Sequence, residues 1–395
     1  MRPRLLVVGH AGVPTGYARV LAELLPRLTG ELDVTLFAFN YKRGALPNPP
    51  VPARTNELRG DVLGREQLPA ILRDVRPDVV LLHHDAEVYA IHAEALEAYR
   101  RERPGTRVVV YCPIEWASTS QSLLRTLVPA DVVVTYTRFG ERMVRAALEG
   151  LSDACVTSIP HGATPERFPP LHEDPVEARG AARRRLFPDR PEIEDAFVVL
   201  NANRNSPRKR IDITLRAFAE FSEGKPDAYL CLHMGLDGGG VHVPRRVSEL
   251  GLEDRVLTTT TDEWLPDLSD DALNVVFNAC DVGLNTSTGE GWGLVPFEHG
   301  ATGAAQIVPA HSACLELWED KALLIPVEPG REEEGIVSLD GTVAALESLY
   351  ADPALRSRLG AAARGNALDP RFDWDTIAES WKTLLAKEAS LARSS

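Results

Sequence analysis

Several marks of specialised protein classes are missing from this sequence. Its 395 residues contain only five cysteines, Cys112, Cys155, Cys231, Cys280 and Cys314, and no two of them form a CxxC pair. Isolated cysteines set in or beside apolar runs read as small buried hydrophobes, and they frame neither a disulfide scaffold nor a thiolate metal site. The ten histidines show no HExxH or Cys/His ligand spacing, so no metal is expected. No apolar run reaches the roughly 18 residues that signal a membrane-spanning helix. After Arg2 and Arg4 the apolar stretch is only Leu5 to Val8, shorter than the roughly 7–15 residues of a signal-peptide core. It reads as a first buried strand, and a cytoplasmic location is expected. No internal repeat of short period is visible.

Positive charge is also scarce, and unevenly so. The net charge is −14. Residues 1–170 hold 20 Arg and Lys against 19 Asp and Glu, which leaves 23 against 38 for residues 171–395. An acidic second half argues against a nucleic-acid surface, because phosphate backbones need clustered positive charge. Any anion site must be local. At this length, with 44% hydrophobic and 25% charged residues, two ordinary globular domains are expected.

What the sequence does contain is an alternation of short apolar strands and helices. In the first half, strand-like runs stand at Leu5–Val8, Val34–Phe39, Val79–His83, Val108–Tyr111, Val132–Thr135 and Val156–Ile159, and Arg43–Arg59 reads as a loop. The pattern breaks between His161 and Ala196, in a proline-bearing stretch with the run Arg183-Arg184-Arg185. It resumes with strands at Phe197–Asn201, Tyr229–His233, Val256–Thr259, Val282–Asn285 and Gln306–Val308. Buried β-branched runs alternating with helices predict parallel sheets covered on both faces. A last helix, from Asp375 to Lys387, has Trp374, Ile377, Trp381 and Leu384 or Leu385 on one stripe, as an amphipathic helix requires. The expected organisation is an N-terminal Rossmann-like domain over 1–165, a linker over 166–195, a second such domain over 196–370, and a final helix over 371–395 that crosses back to the first.

Two segments carry chemistry. The first, Gly289 to Glu298, reads GEGWGLVPFE and follows the strand ending at Asn285. A helix is expected to open near Pro296, since proline favours the first helical position. Glu298 would then lie in its first turn and Glu290 in the loop before it. Unpaired N–H groups at such a helix start suit an anion, and the two carboxylates suit sugar hydroxyls. Glu298 as a complement to the helix dipole is the plainer alternative. The second segment, Asn201 to Asp212, follows the first strand of the second half and holds Arg204 and Lys209. Two cations at a strand's carboxyl end suit a diphosphate, arginine as a planar fork and lysine as a point charge.

In this order and spacing, Arg204-x4-Lys209 and Glu290-x7-Glu298 resemble the motifs of the family 4 retaining glycosyltransferases of the GT-B fold. Ile159-Pro160-His161-Gly162, the N-terminal GHAGVPTGYARV and the tryptophan-bearing last helix fit the same family. The resemblance spans roughly residues 4–386 and implies two Rossmann-like α/β domains whose parallel sheets face each other across a cleft. It implies a hexosyltransferase that draws on a nucleotide-diphosphate sugar, UDP- or GDP-linked, with no further cofactor and no catalytic metal. The acceptor would be a saccharide, a small molecule or a protein. Arg204 and Lys209 would hold the diphosphate, Glu290 the transferred sugar and Glu298 the ribose. Gly291, Trp292, Gly293 and Leu294 would touch sugar and phosphates, and Gly12 to Gly16 would let the backbone approach the phosphates or acceptor. Residues near Thr258–Thr261 would pack on the nucleobase.

The chain also departs from that pattern. Cys112-Pro113-Ile114-Glu115-Trp116 stands where many relatives carry a histidine that reaches the donor sugar, which makes Glu115 a candidate substitute. His83, His84 and His161 are further candidates for donor or acceptor contact, or plain strand-end histidines. Gly300, just downstream of Glu298 inside the same helix, predicts close packing there, since glycine costs about 1 kcal/mol relative to alanine in a helix. Trp292 carries a ring N–H that needs a partner if buried. Asp373-Trp374-Asp375 reads as a helix cap. Other readings of the same residues are a non-catalytic nucleotide-sugar or glycan-binding module, and a glycoside hydrolase or phosphorylase using Glu290 and Glu298. A nicotinamide dehydrogenase is disfavoured by the lack of GxGxxG after a strand.

Overall fold

The computed structural model describes residues 2–12, 15–39, 49–56, 60–117, 119–237, 239–259, 268–329 and 335–394. They form two compact units, residues 1–162 with 370–395 and residues 163–369. Of the expected loop Arg43–Arg59, positions 43–48 and 57–59 lie outside the described residues, and the described part is not all loop, since Ala53–Thr55 forms a short strand at the sheet edge. Positions 13–14 of the glycine-bounded loop and 260–261 of the nucleobase segment also lie outside.

In the first unit the strands are β1 (Arg4–His10), β2 (Asp33–Phe39), β3 (Ala53–Thr55), β4 (Val79–His83), β5 (Arg107–Cys112), β6 (Val132–Thr135) and β7 (Cys155–Ser158). They make one parallel sheet in the order β3-β2-β1-β4-β5-β6-β7. Helices α1 (Gly16–Leu28), α2 (Leu68–Val75), α3 (Ala86–Glu102), α4 (Gln121–Leu124) and α5 (Arg138–Leu148) connect them. Parallel pairing needs such crossovers, and helices on both faces explain why the strand residues are almost wholly buried. Val79 to His83, for example, is buried along its whole length.

The second unit repeats the plan. Its strands are β8 (Phe197–Asn201), β9 (Ala228–Leu232), β10 (Val256–Thr258), β11 (Val282–Leu284), β12 (Ala305–Pro309) and β13 (Leu323–Ile325), parallel in the order β10-β9-β8-β11-β12-β13. An antiparallel pair, β14 (Val327–Pro329) and β15 (Gly335–Val337), follows. Its helices are α6 (Pro175–Leu186), α7 (Ile211–Phe221), α8 (Val243–Glu249), α9 (Asp270–Asn278), α10 (Leu294–Ala301), α11 (Ser312–Trp318), α12 (Leu339–Ala351) and α13 (Pro353–Ala367). The chain winds outward from β8 to β9 and β10, then returns to place β11 on the other side of β8. Ligands of doubly wound sheets bind outside the carboxyl ends of strands at such a reversal. Here those ends are Asn201 and Leu284.

Three sequence readings change. Residues 166–195, read as a linker, fall in the second unit. Their helix α6 is tied to the sheet by Arg183, whose guanidinium reaches Asp281 Oδ2 at 2.7 Å and donates to the carbonyls of Ala279 and Ala196 at 2.8 Å each. The helix after the Gly289 loop begins at Leu294 rather than near Pro296, with Gly293 at φ 93° as its cap. That left-handed geometry suits glycine, and it moves Glu298 from the first turn to the second. The last helix, α14 (Trp374–Ser394), is longer than expected and packs on α1, β4 and β5 of the first unit.

Trp374, Ile377, Trp381 and Leu385 are its buried stripe, so Leu385 and not Leu384 continues the apolar face. Gly162 lies under it, where an added Cβ would stand 2.3 Å from the Trp374 ring. Asp373 caps α14 by accepting from the amides of Asp375 at 2.9 Å and Thr376 at 3.0 Å. Gly300 lets α10 approach α13, leaving 3.3 Å between an added Cβ and that of Ala363. Four cysteines are buried, whereas Cys155 is exposed. No described helix is long and apolar enough to cross a membrane.

Candidate functional site

The loops after β8 and β11 meet through ionic and polar contacts, all within the second unit. After β8 the chain makes a 3₁₀ turn over Pro207–Lys209, and Arg210 at φ 47° then starts α7. A non-glycine residue in that region is uncommon; here a two-point ion pair with Asp212, at 2.9 and 2.8 Å, holds it. Asn205 ties the loop to the segment after β9, donating to Val241 O at 2.7 Å and accepting from Val241 N at 3.0 Å. Gly240 makes that approach feasible, since a Cβ there would stand 2.2 Å from Asn205 Oδ1.

Glu290 is the centre of the site. Its carboxylate accepts from Lys209 Nζ, from Arg208 at 3.1 Å and from the Asn285 amide at 3.0 Å. Arg208 also donates to Gly289 O, and Thr288 N donates to Arg208 O at 2.9 Å. Glu290 is 4% exposed and Lys209 9%, so each charge depends on the other for compensation. Burial alone would raise the Glu290 carboxyl, but Lys209, then Arg208 and the hydrogen bonds from Lys209 and Asn285, hold it well below the usual carboxylate range. It is an anion at neutral pH.

A second chain of hydrogen bonds fixes the Lys209 backbone. Thr286 Oγ1 donates to the carbonyl of Lys209 or Arg210, each at 3.0 Å. Its proton is thereby used, so Thr214 donates to Thr286 at 2.8 Å and Asn201 Nδ2 to Thr214 at 2.9 Å. The two loops are therefore locked both by charge and by a directed polar chain.

Lys209 and Glu290 are thus brought together, but Arg204 does not join them. It is exposed and forms no hydrogen bond or ion pair with any described residue. Arg208 takes the place beside Lys209, because the 3₁₀ turn presents consecutive residues to Glu290. Gly291, Trp292, Gly293 and Leu294 follow Glu290 directly, and the Trp292 ring stacks on Phe297 with centroids 5.2 Å apart. Glu298 is buried in the second turn of α10. Asn285 and Thr286, missed by the sequence reading, are 2% and 0% exposed; polar residues directly after a strand at a sheet reversal were the available signal.

Among the candidates of the first unit, His83, His84 and His161 stand in one group of rings with Tyr17, Tyr111 and Tyr136. Gly16 is the exposed first residue of α1, whose cap is Thr15. Tyr17 stacks on His84 at 4.3 Å and donates to Asp85. His161 Nδ1 lies 2.7 Å from the Tyr111 hydroxyl, and burial pushes its pKa down to about 3. His83 reaches Tyr136 at 3.1 Å and is driven well below its usual pKa, first by burial and then by nearby histidines. These two imidazoles are neutral near pH 7, so they offer hydrogen bonds and not charge. Glu115 is half-buried, three residues past β5.

Comparison with known proteins agrees with this architecture. Residues 182–366 match the model of the family described as glycosyl transferases group 1. A D-inositol 3-phosphate glycosyltransferase of Stackebrandtia nassauensis is 32% identical over 257 residues, covering 63% of this chain and 52% of the relative. A GDP-mannose-dependent alpha-(1-6)-phosphatidylinositol monomannoside mannosyltransferase of Mycolicibacterium smegmatis is 29% identical over 272 residues, 66% of this chain and 62% of its own. The chain thus spans little more than half the length of the first of these curated relatives, 52%. Among solved structures, HepE of Anabaena in complex with UDP and glucose superposes with a TM-score of 0.71 at 19% identity, over 98% of this chain and 100% of that one. The fold is GT-B.

Proposed function

We propose that this chain, whose residues 182–366 match the model of glycosyl transferases group 1, is a GT4-type glycosyltransferase that moves a hexosyl group from a nucleoside-diphosphate sugar to an acceptor hydroxyl, with retention of configuration and without a metal ion. The observation that supports this most is the buried cluster of Lys209, Arg208 and Glu290 at the reversal of strand order. Donor binding exchanges carboxylate for phosphate on the two cations and turns the Glu290 oxygens to the hydroxyls of the transferred sugar. Lys209 and Arg208 then stabilise the charge that develops on the departing nucleoside diphosphate, a role in which preorganised donors are worth most. They supply positive charge of the kind that a divalent ion provides at other phosphate sites. Backbone N–H groups of Gly293, Leu294 and Val295 at the start of α10 add donors, and Glu298 takes the ribose. UDP and GDP are the nucleotides to test first, because HepE was solved with UDP and one relative is named for GDP-mannose. The acceptor class is a saccharide, a small molecule or a protein.

Glu290 is held ionised by its neighbours, so it could not be the proton-donating acid of a glycoside hydrolase's carboxylate pair, which would have to be another group.

The test is to incubate the whole chain with a panel of UDP- and GDP-sugars in EDTA and follow release of nucleoside diphosphate. One nucleotide series should be turned over slowly, and the rate should be the same with and without the chelator. Arg208→Ala should lose more turnover than Arg204→Ala. Binding of a donor with no turnover in any acceptor mixture would instead support a non-catalytic sugar-nucleotide module.

A further inference from the structure

We infer that His311 and Ser312, which lie outside both motifs, are positioning residues that hold Glu290 in register for transfer. This inference rests on the transferase reading above.

His311 Nε2 lies 2.9 Å from the carbonyl oxygen of Ser287. A carbonyl only accepts, so Nε2 carries a proton. The ring is half-buried, and desolvation outweighs the nearby Ser287 carbonyl and Glu290 to lower its pKa, so it is neutral and Nδ1 is an acceptor. Ser312 Oγ, 2.9 Å from Nδ1, therefore donates to it. With its proton committed, the same oxygen accepts from the Glu290 amide at 3.2 Å. Ala313 N donates to the Glu290 carbonyl at 3.3 Å. Both backbone groups of Glu290 are thus held by the first turn of α11, 22 residues away in sequence.

The His311 bond to Ser287 closes the other end of the same loop. Ser287 N donates to Asn285 Oδ1 at 3.0 Å, and the Asn285 amide donates to the Glu290 carboxylate. One imidazole therefore spans the loop that carries the acid and fixes where its carboxylate points. The backbone shows the cost of this arrangement, because Ser312 sits at φ 43°. Left-handed geometry at a non-glycine residue persists only where the surroundings impose it. Glycine would fit that backbone without strain, so the hydroxyl is the reason for serine here.

That conflict between backbone and side chain supplies the test. Ser312→Gly relieves the backbone and removes the hydroxyl, so its melting temperature should equal or exceed that of the parent while kcat falls about tenfold to a hundredfold, as for a reacting group displaced by a fraction of an ångström. Affinity for free UDP or GDP, which lack the sugar, should stay within about threefold, because Arg208 and Lys209 are untouched. His311→Ala should lose kcat similarly, and His311→Gln, which can donate to Ser287 and accept from Ser312, should recover part of it. Nitrogen NMR of the parent should show His311 neutral and protonated at Nε2. If Ser312→Gly and His311→Ala turn over at the parental rate while Glu290→Gln is inactive, the positioning role is wrong and the transferase reading stands. If the folded parent releases no nucleoside diphosphate from any sugar donor, both fall together.

Discussion

Replacing Lys209 with methionine should lower kcat by about 10²–10³, equivalent to roughly 2.7–4 kcal/mol, the loss typical when one preorganised donor to a developing negative charge is removed. Methionine keeps the apolar stem and deletes the ammonium that meets Glu290. The same substitution changes the pH dependence. In the parent, the Glu290 carboxyl is depressed below its ordinary value of 4.5. Its contribution to stability is therefore complete above that value and is lost as the pH falls through the depressed one. Turnover by the parent should show no limb from Glu290 between about pH 5 and 8. Without Lys209, burial is opposed only by Arg208 and Asn285, so the carboxyl rises and an acidic limb moves up toward that window. A parental rate and an unshifted profile in Lys209→Met would remove Lys209 from the mechanism.

The largest stability effect should come from Asp281→Ala, away from the site. Asp281 is 5% exposed and accepts from Arg179 at 2.9 Å, Arg183 at 2.7 Å and Val198 N at 2.8 Å. Alanine leaves Arg183, itself 4% exposed, as a buried cation without its anion. Breaking a buried pair from one side typically costs about 3–5 kcal/mol. Hydrogen exchange at amides of β8 should report that loss as a lower free energy of opening. Asp281→Asn, which keeps an acceptor but no charge, should lose less. If both variants exchange like the parent, α6 is not held by this cluster.

These two clusters also show what the sequence could and could not reveal. The strands of both sheets were legible because parallel strands buried on both faces are short continuous apolar runs. Glu290 and Lys209 were legible because each lies in the loop that follows such a strand, β11 or β8, in the spacing of a recognisable motif. Arg208 was not, because a 3₁₀ turn over Pro207–Lys209 decides which cation faces the acid, and spacing alone favoured Arg204. The start of α10 was misplaced for a related reason: Pro296 suits a first helical position, but Gly293 at φ 93° caps the helix three residues earlier. Proline and arginine content made 166–195 look like a linker, yet Arg183 finds its anion 98 residues later. The clamp of His311 and Ser312 on Glu290 has no local signature at all. Each of these depends on contacts between distant parts of the chain.

In the proposed mechanism Arg208 and Lys209 bind the donor's diphosphate at the carboxyl ends of β8 and β11. Calorimetric titration of UDP and GDP into the parent, Arg208→Ala, Lys209→Met and Arg204→Ala tests it without requiring an acceptor. One nucleotide should bind the parent, with affinity at least about tenfold weaker in Arg208→Ala and in Lys209→Met, roughly 1.4 kcal/mol or more, and a smaller loss in Arg204→Ala. Equal dissociation constants for the parent, Arg208→Ala and Lys209→Met would contradict it.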